Sequence, residues 1–396
     1  MGRAMTLLDS ASAIRFACAE ARARVPPGGV FELPDVAGVR VDMSSIADLR
    51  WLADYVAPHY AFRKDAHRPT TAHVVQLVDA ERYRELRALA AERSWRERAL
   101  YQEEPVLEAR DADVVLHVNR RRPLVTVFEQ GVTTIVGHPD DPEARMEPIR
   151  HVREVMTKQL ETRGWFVYHM ASVALHGTGV AFVGGKGAGK SSLALGACAS
   201  GASLISNDRS YVGLTSAGPL IRSWPTTAAI GLGTVCAFEE LHRWLADPGS
   251  LAYTPQDRYT SGIGLAAALA LPPPERAELK DKLELTCAEV AQSFATTLCA
   301  VAPLGLIVVS SFEAGLGTTA IEAADAEELL RGQCYTPHDP RYPDFLDLRT
   351  IAIAELERES EAQIAALVET VPAVRVRYSD GRDGGAALAS YVEGMT

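Results

Sequence analysis

The chain alternates short apolar runs with amphipathic stretches. Val180, Ala181, Phe182 and Val183 form a short apolar strand bounded by Gly179 and Gly184, and residues 192–199 behind it suit a helix packed under a sheet. Residues 202–206 and 304–309 read as buried strands, and 373–378 as a last one. Strands are also expected over 30–33, 38–41, 72–78, 113–118, 123–128, 132–136, 211–214, 220–224 and 228–232. Residues 165–183 read as a hairpin turning at 176–179. Ile149, Val152, Val155, Met156 and Leu160 recur at helical spacing up to Gly164. Ser44 or Ser45 is placed to cap a helix through about Tyr55, and Asp79 to cap a charged helix over 80–100. Thr286 and Glu289 have the spacing of a capping box, Gly332 is expected to end a short helix, and Pro372 to stop a helix over 351–371.

Strands interleaved with helices in this way make an α/β protein, with a mixed α+β N-terminal lobe. The division is expected at 150/151. Residues 1–150 would recognise a substrate, and 151–396 would carry the chemistry. No flexible linker marks the boundary.

Composition narrows the function classes. The chain has 396 residues, 47% hydrophobic and 23% charged, with a net charge of −11. An acidic chain lacks the general basic face that nucleic acid or an anionic membrane requires, so neither is expected as a partner. The six cysteines form no C-x-x-C pair, which suggests neither a zinc site nor a disulfide framework. No run approaches membrane-spanning length, so a soluble, cytoplasmic protein is expected. Arg120, Arg121 and Arg122 read as a solvated hairpin tip, or as a patch for an anionic substrate.

The most specific stretch is Gly184, Gly185, Lys186, Gly187, Ala188, Gly189, Lys190 and Ser191, which fills G-x-x-x-x-G-K-[ST]. Glycines let successive backbone N–H groups turn toward one anion, and the following helix adds its own N–H groups and dipole. Lys190 brings a positive charge to the β- and γ-phosphates. Ser191 offers a hydroxyl to Mg²⁺, and Ser192 begins the helix beside the same phosphates. The cofactors expected are therefore ATP and Mg²⁺. Asp208, at the end of the 202–206 run, is the best acidic partner for Ser191, and Glu313 is a weaker one.

His169, then 177–180, the loop 184–191, and 201–208 ending in Asn207 and Asp208, together resemble the HPr serine kinase/phosphorylase family, whose relatives include kinases of peptide natural-product pathways. The resemblance covers about a sixth of the chain, and its spacing is specific. It implies an HPr-kinase-like P-loop domain that transfers the γ-phosphoryl group of ATP to a hydroxyl of a peptide or small molecule, and it allows a homo-oligomer. It implies that Asp208 is the general base, a metal partner, or both, and that His169 lies near the transferred group. Two departures point away from HPr itself as acceptor. Asn207 replaces the first acid of a pair, and Ala228 and Ile230 stand where the bifunctional enzymes carry Glu and Arg. A non-catalytic nucleotide-binding module and an acceptor-independent P-loop ATPase remain the alternatives.

Overall fold

The structure is a computed structural model that describes residues 10–34, 36–64, 69–100, 104–111, 113–246, 265–272, 275–276, 278–339, 343–344 and 346–395. It divides into two units. The first comprises Met1–Gln159 with His338–Thr350, and the second Leu160–Pro337 with Ile351–Thr396. The division falls between 159 and 160, inside a helix.

In the first unit, nine strands make one mixed sheet: β1 (Gly29–Glu32), β2 (Gly38–Met43), β3 (Ala61–Arg63), β4 (Thr70–Val78), β5 (Arg96–Ala99), β6 (Pro105–Asp111), β7 (Val114–Asn119), β8 (Leu124–Glu129) and β9 (Val132–Gly137). The order is β3-β1-β2-β4-β9-β8-β7-β6-β5, with β2, β4 and β9 parallel to one another and the other pairings antiparallel. Helices α1 (Ser10–Ala23) and α3 (Ala80–Ala91) bury Ile14, Cys18, Tyr83 and Leu86 against Leu116, Val125, Val127 and Val136 of the sheet. Ser45 and Asp79 cap α2 (Ile46–Val56) and α3 as their side chains predict. Helix α4 (Glu147–Glu161) closes the N-terminal part, with Ile149, Val152 and Met156 buried.

Helix α3 stops at Ala91, short of the expected 100, because the arginines beyond it serve a long-range partner. Arg96 and Arg98, two residues apart on strand β5, both reach the buried carboxylate of Glu108 on β6. Arg110 and His117 reach the same carboxylate. Arg122 is not a solvated tip. It pairs with Asp141 at 2.8 Å and with Glu147 at 2.9 Å, both buried.

The second unit holds β10 (Trp165–His169), β11 (Ala171–Leu175), β12 (Thr178–Val183), β13 (Ser203–Ser206), β14 (Arg209–Thr215), β15 (Gly218–Ser223), β16 (Ala228–Gly231), β17 (Lys282–Leu285), β18 (Val301–Phe312), β19 (Gly317–Ala320) and β20 (Ala373–Tyr378). Its helices are α5 (Lys190–Ala199), α6 (Leu232–Ala237), α7 (Glu239–Leu245), α8 (Leu265–Ala270), α9 (Cys287–Ser293), α10 (Ala323–Gln333), α11 (Ile353–Thr370) and α12 (Gly381–Glu393). Around the loop 184–189 the strand order is β20-β18-β12-β11-β13. Strands β12, β18 and β20 run parallel. The hairpin of β11 and β12 turns at His176 and Gly177, both with positive φ. Because β11 is antiparallel to β12 and also to β13, the latter two end at the same edge of the sheet.

Strand β12 is apolar at every step because both its faces are covered. Val180 and Phe182 enter the core with α5 and α12, whereas Ala181 and Val183 enter the core with α11. Helices α5 and α12 touch backbone to backbone. A Cβ at Gly196 would stand 1.7 Å from the Gly381 carbonyl oxygen, and one at Gly385 would stand 2.0 Å from the Gly196 carbonyl carbon. Helix α12 carries three glycines, Gly381, Gly384 and Gly385, which oppose helix by propensity, and it is an element that the sequence reading did not include. Gly332 lies inside α10 and does not end it. The capping box of Thr286 and Glu289 forms at the start of α9. Among the described residues no helix is long and apolar enough to cross a membrane.

Candidate functional site

The loop 184–189 leaves β12 where its parallel neighbour continues. Strand β18 stays paired with β12 to Val309 and then follows β20 to Phe312. The chain between turns through Gly184, Gly187 and Gly189 at φ of 144°, 85° and 87°, values that suit glycine alone. Gly185, Lys186 and Gly187 are exposed, and Ala188 is half-buried. Gly189 caps α5 in the left-handed conformation and has no room for a side chain, because a Cβ would lie 2.1 Å from the hydroxyl oxygen of Tyr378. That hydroxyl donates to the Gly189 carbonyl at 2.5 Å and ties the loop to β20.

Lys190 arches back over the loop. Its Nζ donates to the Gly184 carbonyl at 2.7 Å and to the Gly185 carbonyl at 3.3 Å. Burial pulls its pKa below the ordinary lysine value. The carboxylate of Asp208 opposes that shift, and the like charge of Lys282 adds to it. Lys282, at the start of β17, therefore belongs to the electrostatic surroundings of the loop. Ser191 is half-buried in the first turn of α5. The hydroxyl of Ser192 hydrogen-bonds that of Thr234 on α6 at 2.9 Å.

Asp208 follows β13 at the edge that carries the loop. Its carboxylate lies 3.5 Å from Nε2 of His169 and 3.5 Å from Nε of Arg209, and it is 37% exposed. His169 ends β10, directly opposite Arg209 in the ladder with β14. Its ring stacks on Tyr335 at 5.5 Å with an interplanar angle of 5°. The guanidinium of Arg209 is buried 4.5 Å over Tyr335 and 5.2 Å over Trp224. Asp208 is thus flanked by two cationic or titratable groups that are themselves fixed by aromatic rings.

Asn207 is buried, and its Oδ1 has no hydrogen-bond partner. Behind it, burial pushes the Cys287 thiol up to about 12, as it does that of Cys198, so both remain neutral structural thiols. Glu313 lies just past the end of β18, with its backbone bonded to Tyr378 and its carboxylate accepting from Ser311. In the first unit, a cavity of about 310 Å³ is lined by Arg96, Glu97, Arg98 and Asp347. Its guanidiniums already pair with Glu108 and Asp347.

The structure therefore brings the loop, Lys190, Asp208 and His169 to one edge of one sheet. Tyr378, Tyr335, Trp224 and Arg209 complete their surroundings, and no local sequence pattern marks them. Compared with protein-family models and with curated proteins, the sequence matches none.

Proposed function

We propose that the second unit is an ATP-dependent kinase that phosphorylates a hydroxyl of a peptide or small molecule. The observation that carries this reading is the placement of the glycine loop with Lys190, and of Asp208 with His169, at one edge of one sheet. A loop ammonium and a carboxylate feel each other's charge at the C-terminal edge of parallel strands, with His169 3.5 Å from that carboxylate. The loop fits a triphosphate. Its three positive-φ glycines turn the chain tightly between β12 and α5, whose first turn follows Gly189 directly. Mg²⁺ is ordinarily held by one or two carboxylates together with water and phosphate oxygens, and P-loops add a Ser or Thr hydroxyl, so Ser191 and Asp208 suit it.

Bound Mg-ATP supplies the transferable phosphoryl group and neutralises part of its charge. The residues of the chain do the rest. Lys190 and the loop amides offset the negative charge that spreads over the phosphate oxygens. Asp208 accepts the proton of the acceptor hydroxyl. His169, held flat against Tyr335, steadies that carboxylate and can relay its proton.

The decisive experiment incubates the protein with γ-labelled ATP and Mg²⁺, with peptides or an extract as acceptor, for wild type, Lys190→Ala and Asp208→Asn. The kinase reading expects label on an acceptor with wild type only, while Asp208→Asn still binds nucleotide. Full transfer by Asp208→Asn refutes the base assignment. One observation favours a second reading, a nucleotide-binding module without transfer. Asn207 replaces an acid and leaves its buried Oδ1 unpaired. Tight ATP binding with no labelled product would select it. Phosphate release without any acceptor would select an ATPase.

A further inference from the structure

We propose that Phe312 is the stacking platform for the nucleobase of the nucleotide gripped by the loop. This inference rests on the nucleotide reading given above and adds the part of the ligand that the loop cannot hold. Phe312 is 52% exposed, at the tip of β18 where that strand has parted from β12. Leu316, four residues further in the turn before β19, is 57% exposed. Apolar side chains thus stand in water at the rim of a polar loop.

Phe312 is fixed to that loop. Its ring meets Tyr378 edge to face, at 5.5 Å and 76°, and Tyr378 holds the Gly189 carbonyl. A Cβ on Gly189 would lie 3.3 Å from the Phe312 Cβ. The aromatic ring is therefore positioned against the N-terminal end of α5.

The direction of the ligand follows from the sheet order. Asp208 follows β13, two strands to one side of β12, and Phe312 ends β18, the neighbour on the other side. A triphosphate laid across the loop with its terminal phosphate toward Asp208 carries its sugar and base toward Phe312. Stacking on an aromatic face requires no particular hydrogen-bond pattern from the base. Recognition at this point is thus of a flat π-face rather than of one base edge.

The test measures binding of ATP and of inorganic tripolyphosphate by titration calorimetry in Mg²⁺ buffer, using the full chain. Four proteins are compared: wild type, Phe312→Ala, Phe312→Trp and Lys190→Ala. Phe312→Ala is expected to weaken ATP about tenfold, the ordinary size for one lost base–aromatic stack, and to leave tripolyphosphate unchanged. Phe312→Trp is expected to restore ATP binding, and Lys190→Ala to weaken both ligands. Unchanged ATP affinity in Phe312→Ala overturns the inference, and so does an equal loss for the two ligands, since that would be a loop defect. Wild type that binds neither ligand overturns the nucleotide reading itself, a different outcome from either.

Discussion

Replacing Gly189 with alanine probes the tie between the loop and β20. The new Cβ would sit 2.1 Å from the hydroxyl oxygen and 3.1 Å from Cζ of Tyr378. Two penalties add. A non-glycine residue at φ of 87° costs about 1–2 kcal/mol in backbone strain. Driving the Tyr378 hydroxyl off the Gly189 carbonyl leaves buried groups unpaired, at about 1–3 kcal/mol. The expected destabilisation is therefore about 2–5 kcal/mol, and it is local. Tyr378→Phe alone should cost about 0.5–1.5 kcal/mol, the usual net worth of one hydrogen bond. In the double variant the 2.1 Å overlap is gone while the backbone strain stays. It should thus be about 1–3 kcal/mol more stable than the sum of the singles predicts. A chain of two units does not report a single unfolding free energy, so the readout is amide hydrogen exchange over 190–195. Strictly additive changes, or wild-type exchange in Gly189→Ala, would refute the claim that Tyr378 shapes the loop.

Other outcomes follow from the same geometry. His59 is buried with no partner for either ring nitrogen, and burial lowers its pKa to about 4. A depressed base keeps the native state neutral while the unfolded chain takes up a proton. Stability should therefore be lost as pH falls from about 6.5 to about 4, by about 3 kcal/mol at the end of that window, and His59→Leu should flatten the pH dependence of the urea midpoint there. Arg122→Leu should destabilise the first unit by about 3–5 kcal/mol, because Asp141 stays buried without its guanidinium while Glu147 keeps Arg150, and denaturation measured at neutral pH checks it. Tyr335→Ala removes the ring under His169 and Arg209. It should lower kcat of transfer while leaving ATP affinity within about twofold, and an equal loss of both would show a general collapse instead.

What could be read from the sequence was what is decided locally. The spacing of Gly184, Gly189, Lys190 and Ser191 is a requirement on consecutive backbone angles, and the structure shows those angles. Capping by Ser45, Asp79 and Thr286 is equally local, since each side chain bonds an N–H two or three residues on. Long-range partners were invisible. The end of α3 depends on Glu108, which draws Arg96 and Arg98 into a strand that their helix propensity opposes. Helix α12 was hidden by Gly381, Gly384 and Gly385, which are needed because the α5 backbone lies against them. Asp208 stood out only as a strand-end acid, and its approach to His169 needed the fold.

These long-range contacts also determine which part of the site is free to respond to a ligand. Helix α5 is held at three points: Gly189 to Tyr378, Ser192 to Thr234, and Gly196 against Gly385. It cannot shift without moving β20 and α12. Arg209, beside Asp208, is sandwiched with Tyr335 and Trp224, so that end of the site is also restrained. The exposed loop residues 185–187 and the side chain of Lys190 are what remains adjustable. The Lys190 ammonium gives two of its three donors to loop carbonyls, so on the proposed reading gripping a phosphate exchanges neutral acceptors for charged ones, and the charged hydrogen bonds are roughly twice as strong. On the proposed nucleotide reading, the rearrangement on binding is a swing of one side chain over a preorganised frame. The lowered pKa of Lys190 supplies its signature: an arriving phosphate should raise that pKa, and binding in the alkaline range where the lysine titrates should be accompanied by proton uptake.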